Sequence, residues 1–145
     1  MAETLKSYLR LPSSVQRLTA MLFAIAMAAG STLVALFDPA KSSFFPVCPL
    51  YSITGFACPG CGLTRGFHEL FNGRFIPALD FNFLIPVWTV VFGYVWVSLV
   101  LTAVRGRGLP MWPTRPKFLW VFLILLVVFG VLRNIPSWPF TILFP

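Results

Sequence analysis

Three uncharged apolar stretches, at residues 18–37, 83–104 and 118–132, set the hydropathy pattern of the chain. A helix needs about 20 apolar residues to cross the hydrocarbon core of a bilayer, so the first two stretches are long enough. The third is shorter, but Lys117 and Arg133 at its ends have long side chains that can reach the headgroups. The pattern predicts an all-α integral membrane protein with three transmembrane helices.

The first stretch has a second interpretation, as a cleaved signal peptide. The segment Ala26-Met27-Ala28 has the small-residue pattern of a cleavage site, and basic residues precede the apolar run. The run continues well past that segment to Phe37, and this favours a retained membrane anchor. The stretch ends at Asp38-Pro39, because a charge and a residue without an N–H both oppose further helix.

Composition agrees with a membrane protein of one domain over residues 1–145. Hydrophobic residues make up 58% of the chain, charged residues 10%, and the mean hydropathy is +0.86. A soluble domain has about 25% charged residues. The net charge of +7 is not arranged as a basic stripe with interleaved aromatics, so nucleic acid is not expected as a partner. The expected partners are the lipid bilayer and, as a further candidate, another membrane protein.

The distribution of basic residues predicts the orientation. One side of the membrane would hold seven of them: Lys6, Arg10, Arg17, Arg105, Arg107, Arg115 and Lys117. The other side would hold four, spread over a longer loop: Lys41, Arg65, Arg74 and Arg133. Because basic residues favour the cytoplasmic side, the N-terminus is expected in the cytoplasm and the long loop outside the inner (cytoplasmic) membrane. That location is oxidising in bacteria.

The loop between the first two apolar stretches, residues 38–82, is expected to lie against the membrane. Between Leu63 and Asn72 apolar and polar residues each recur with helical spacing, which predicts a short amphipathic helix at the interface. Thr64 is expected to cap the start of this helix, and Gly73 follows as its stop.

Three cysteines and the only histidine of the chain, Cys48, Cys58, Cys61 and His68, lie close together in this loop. The preferred interpretation is structural: two cysteines form a local disulfide and the third is buried as a small apolar residue. His68 would then be a polar residue at the water interface. No cofactor is expected under this interpretation.

A structural zinc site is the second interpretation of the cluster. Tetrahedral zinc needs four ligands, and Cys48, Cys58, Cys61 and His68 supply a Cys3His set. The Cys-Pro-x-Cys-Gly turn is one that many zinc knuckles use.

Thiol–disulfide exchange by Cys58 and Cys61 is the third interpretation, with Cys48 as a resolving thiol. A helix N-terminus and the nearby Arg65 would both favour the thiolate. No thioredoxin-like βαβ pattern surrounds the pair, and the chain has no set of residues for general acid–base hydrolysis. A non-enzymatic membrane component or accessory subunit, with no catalytic residues, is therefore favoured over an enzyme.

One run in the loop is long enough to be a specific motif: Cys58-Pro59-Gly60-Cys61-Gly62-Leu63-Thr64-Arg65. Together with Cys48-Pro49 it resembles the Cys-Pro-x-Cys-Gly-x-Thr-Arg signature of a prokaryotic family of small membrane proteins of unknown function. The likeness spans roughly Cys48 to Asn82. It implies a polytopic membrane protein with a signature role for Cys58, Cys61, Thr64 and Arg65, and it implies no reaction. The chain departs from the family at Gly66, where alanine is usual, and at Phe83, where proline is usual.

Overall fold

A computed structural model describes residues 13–42, 45, 47–110 and 116–144, and every regular element in these residues is helical. The elements are α1 (Ser13–Leu36), α2 (Pro49–Thr54), α3 (Leu63–Phe71), α4 (Phe75–Phe81), α5 (Ile85–Arg105), α6 (Pro116–Leu132) and a final 3₁₀ helix (Phe140–Leu143). The all-α prediction is confirmed for the described residues. The basic residues Lys6, Arg10 and Arg115, used above for the orientation, lie outside them.

Two helices, α1 and α5, are long and apolar enough to cross a bilayer, whereas α6 is apolar but shorter. Their large apolar side chains are mostly uncovered: the exposed fraction is 63% for Phe23, 61% for Val90 and 73% for Leu119. Apolar surface this extensive is typical of helices that lipid or another protein covers.

The described residues fall into two compact units. Of the described residues, 13–30 and 90–110 belong to the first unit, and 31–42, 45, 47–89 and 116–144 belong to the second. In the first unit the indole N–H of Trp96 on α5 donates to the carbonyl of Ala24 on α1 at 3.1 Å. Ala24 is buried there, and so is Ala20 one turn earlier. A single membrane domain over residues 1–145 stays a prediction from the sequence.

In the second unit, α3 and α4 form a helical hairpin. The amphipathic helix predicted from Leu63 to Asn72 is confirmed, with Asn72 as its C-cap. Gly73 makes the turn with a φ of 77°, which favours glycine. The Glu69 carboxylate accepts two hydrogen bonds from the guanidinium of Arg74 across this turn.

The predicted cap of α3 was wrong. Gly62 is the N-cap, with a φ of 79°, and no side chain makes a capping hydrogen bond there. Thr64 is the second residue of the helix and is exposed. Glycine adopts the left-handed conformation that this position requires. Because Gly62 takes this conformation, the cysteine turn ends where the helix begins.

The polar face of α3 attaches it to the end of α1. The ring Nδ1 of His68 lies 2.7 Å from the carbonyl oxygen of Val34, and Nδ2 of Asn72 donates to the carbonyl of Ala35 at 3.1 Å. Carbonyls in the last turn of a helix have no partner within the helix, so these side chains satisfy groups that would otherwise need water. Since a carbonyl only accepts, Nδ1 of His68 carries the hydrogen in this contact.

Candidate functional site

The three cysteines converge in the second unit. Cys48 immediately precedes α2, and Cys58 and Cys61 lie in the turn before α3. The Sγ of Cys58 is 3.4 Å from the Sγ of Cys48 and 3.4 Å from the Sγ of Cys61, and all three sulfurs lie within 4.8 Å of one another. The grouping predicted from the sequence is therefore present as a compact cluster of three thiols, called the thiol cluster below.

The expected disulfide is not formed. All three cysteines are free, and the sulfur–sulfur separations of 3.4 Å exceed the bonded distance of about 2.05 Å. The turn is instead closed by hydrogen bonds: the backbone N–H of Cys61 donates to the carbonyl of Cys58 at 3.0 Å, and the N–H of Cys58 lies 3.2 Å from the Cys61 sulfur. The backbone folds the Cys-x-x-Cys loop without a covalent link.

A buried arginine lies behind the cysteine turn. Arg133, the residue after α6, has an exposed fraction of 1%, and its Nη1 donates to the carbonyls of Cys58 at 2.8 Å and Cys61 at 3.1 Å. Its guanidinium also lies 5.1 Å from the ring centre of Phe129. The sequence-based expectation that Arg133 reaches the headgroups is wrong, because the carbonyls of the turn bind it inside the protein.

The same guanidinium is only partly satisfied. Nε and Nη2 of Arg133 are buried and have no hydrogen-bond partner among the described residues. The positive charge of this guanidinium would interact electrostatically with a thiolate at Cys48, Cys58 or Cys61. A buried cation with two unpaired N–H groups is costly unless a negative charge accompanies it. The thiol cluster is where that negative charge can lie.

Two asparagines complete the attachment of the turn. Asn82, with an exposed fraction of 1%, donates from Nδ2 to the carbonyls of Pro59 at 2.9 Å and Cys61 at 3.1 Å, and its Oδ1 accepts the N–H of Leu84. Asn134 pairs with both the N–H and the carbonyl of Ala57, each at 2.8 Å. The backbone before and within the turn is therefore fixed by side chains distant in sequence.

Close packing supports these hydrogen bonds. The ring of Pro59 lies directly on Gly130 of α6, where a Cβ atom would come within 3.0 Å of the proline Cγ. A side chain at position 130 would therefore push the turn away from α6, and its carbonyls away from Arg133. Glycine at this position lets the cysteine turn approach the helix backbone.

The local environments of two thiols differ. The backbone N–H of Tyr51 donates to the Cys48 sulfur and lowers the pKa of this thiol to about 7. Burial raises the pKa of Cys61 to about 12. Near neutral pH Cys48 is therefore the easier of the two to ionise, and Cys61 keeps its proton unless a cation replaces it.

The remaining predicted site residues lie around the cluster in different ways. His68 is outside it: among the described residues, only the three cysteines have their ligand atoms within 4.8 Å of one another. The Cys3His set is not assembled, since the His68 ring contacts Val34. Thr64 and Arg65 line a cavity of about 320 Å³ that Cys48 and Cys61 also line.

Arg133, Asn82 and Asn134 were not predicted from the sequence as residues of the site. Each lies just outside an apolar stretch, and polar residues beside membrane helices usually find partners within the protein. Their position beside the apolar stretches is visible in the sequence, but it does not indicate which groups they bind. The groups that they bind before and within the cysteine turn lie 21 to 77 positions away in the chain.

The described residues thus define an all-helical protein with two helices long enough to cross a membrane and a cluster of three thiols in a loop held by buried polar side chains. Residues 48–96 are similar to a family described as "Protein of unknown function (DUF2752)". This stretch includes the whole thiol cluster, Asn82 and the first half of α5. No curated protein and no solved structure matches the chain.

Proposed function

We propose that the chain is a non-enzymatic, multi-pass membrane protein whose thiol cluster binds one zinc ion. The observation that carries this proposal is the convergence of three sulfur atoms within 4.8 Å of one another. The metal would take the place of the disulfide expected from the sequence. It would cross-link the start of α2 to the turn before α3.

The geometry of the sulfurs is close to what zinc requires. Tetrahedral zinc with Zn–S bonds of about 2.3 Å separates its sulfur ligands by roughly 3.8 Å. Two of the observed separations are 3.4 Å and the third is at most 4.8 Å, so each sulfur–sulfur distance needs to change by about 1 Å or less. Thiolates are soft ligands, and they select zinc, copper(I) or iron–sulfur centres over harder cations.

Charge favours zinc over copper(I). Three thiolates and Zn²⁺ carry a net charge of −1, which the guanidinium of Arg133 balances in the same buried region. Copper(I) with three thiolates would have a net charge of −2, and Arg133, the buried cation described beside the cluster, would balance only one of these charges. The unpaired Nε and Nη2 of Arg133 support an anionic metal–thiolate centre beside it.

The membrane arrangement that we propose has three spans. The third, α6, has 17 residues and would be about 26 Å long, slightly shorter than the hydrocarbon core. Local thinning of the bilayer would accommodate it. With the N-terminus in the cytoplasm, the zinc centre would lie at the outer face of the cytoplasmic membrane, where α6 ends at Arg133.

Thiol–disulfide exchange is a second candidate, because the Cys58 sulfur is equally close to both other sulfurs. The thiolate of Cys48 could attack Cys58 in a Cys58–Cys61 disulfide and release Cys61 as the leaving thiolate. The pKa of Cys61, about 12, makes it a poor leaving group. This difference favours the metal site over exchange.

Elemental analysis of the detergent-purified protein tests the proposal. We expect about one zinc per chain, because the three thiolates are a sufficient protein ligand set. Cys58→Ser should lose the zinc, since Cys58 is the central sulfur. His68→Gln is the matched control and should retain it, since His68 lies outside the cluster.

Three results would contradict this account. Stoichiometric copper would contradict the charge argument. Loss of zinc in His68→Gln would show that histidine is a ligand. Absence of metal, together with fewer than three titratable thiols, would favour disulfide exchange.

A further inference from the structure

We infer that the zinc ion keeps one coordination position open to the neighbouring cavity, and that this position binds a short-chain carboxylate whose charge pairs with Arg65. The inference rests on the proposed zinc centre and adds a ligand to it. Zinc sites that bind or process a small molecule have three ligands from the protein and leave the fourth coordination position free.

The cavity meets the thiol cluster directly. Its volume is about 320 Å³, which is within the range of small-molecule sites, roughly 300–1,000 Å³. Cys48 and Cys61 form part of its wall. A metal held by these sulfurs would therefore be accessible from the cavity. Among the described residues no further histidine, cysteine or acidic side chain is close enough to fill the fourth position.

Charge at the cavity points to an anion. Arg65 is the only charged side chain among the described residues that line it. It is exposed, and it makes no hydrogen bond or ion pair with the described residues. Since Arg133 already balances the net charge of the zinc–thiolate centre, Arg65 adds one uncompensated positive charge. A ligand with a single negative charge balances it, and a carboxylate matches the planar guanidinium.

The other walls indicate what the ligand carries besides its charge. Pro39, Phe45 and Val47 contribute apolar side chains to one part of the lining, while Tyr51 adds a phenol with a polar hydroxyl, so the lining as a whole is mixed. The hydroxyl of Thr64, beside Arg65, adds one polar group. A carboxylate with a short aliphatic chain fits this combination. One of its oxygens would bind the metal, its charge would pair with Arg65, and its chain would pack against the apolar part of the wall.

Cobalt-substituted protein provides the test, because the visible bands of Co²⁺ report its fourth ligand. Titration with hexanoate should change these bands with saturation, whereas hexanamide, of the same length but uncharged, should not. Arg65→Gln should weaken hexanoate binding by about tenfold, because the carboxylate loses one charge-assisted hydrogen bond. Arg74→Gln is the control and should bind like the wild type, because Arg74 pairs with Glu69 and does not line the cavity.

The outcomes separate the two proposals. Bands typical of thiolate-bound cobalt that do not respond to hexanoate would overturn the ligand inference and leave the metal site standing. An equal response to hexanamide, or unchanged binding in Arg65→Gln, would overturn it as well. Absence of thiolate-bound cobalt before any ligand is added would overturn the metal site, and the inference with it.

Discussion

Replacement of Arg133 by methionine is expected to weaken zinc binding by about 10- to 100-fold, the usual effect of losing a group that supports metal ligands from behind. Arg133 donates to the carbonyls of both Cys58 and Cys61, and so fixes the turn that presents two of the three sulfurs. It also supplies the only buried positive charge described beside them. Methionine fills similar space but provides neither contribution.

A competition titration with a chromophoric chelator would measure this change in zinc affinity. Arg133→Lys should show an intermediate loss, because it keeps the charge but not the terminal Nη1 that donates to both carbonyls. Lys117→Met removes an exposed cation near the other end of α6, and its affinity should be unchanged. Circular dichroism would establish that each variant keeps its helices. Wild-type zinc affinity in a folded Arg133→Met protein would contradict the role given to this residue.

Replacement of Asn82 by alanine is expected to lower the free energy of unfolding by about 2–4 kcal/mol, because buried hydrogen-bonding groups lose their partner. The carbonyl of Pro59 and the N–H of Leu84 would both be left without the asparagine, and the carbonyl of Cys61 would retain only Arg133. Since Asn82 is almost completely buried, water cannot readily replace it.

Asn72→Ala is the matched control for this experiment. Asn72 also donates to two carbonyls, of Ala35 and His68, but it is exposed, so water can take its place. Its replacement should cost about 1 kcal/mol or less. Unfolding in detergent, followed by circular dichroism, would compare the two variants. Equal stability would contradict the importance assigned to the buried asparagine.

The long elements of the fold could be predicted from the sequence because their signals are local. Uncharged apolar runs marked α1, α5 and α6, and the helical spacing between Leu63 and Asn72 marked α3. The six residues of α2 escaped prediction because so short a helix has no visible periodicity. Gly62 was missed as the cap of α3 because a left-handed glycine leaves no side-chain signal in the sequence.

The site could be predicted only in part. The spacing of Cys48, Cys58 and Cys61 indicated a cluster, and the structure brings these residues together. Spacing alone does not distinguish a disulfide from a metal site, since both need sulfurs a few ångströms apart. The choice depends on Arg133 and on the position of His68, and both are set by contacts between residues distant in the chain.

X-ray absorption at the zinc edge of the purified protein tests the central claim most directly, because it counts the atoms bound to the metal. We predict three sulfur neighbours at about 2.3 Å and one oxygen neighbour at about 2.0–2.2 Å. A histidine signature, a shell with fewer than three sulfurs, or protein that contains no zinc would contradict the claim that these three thiols hold a zinc ion with one position open.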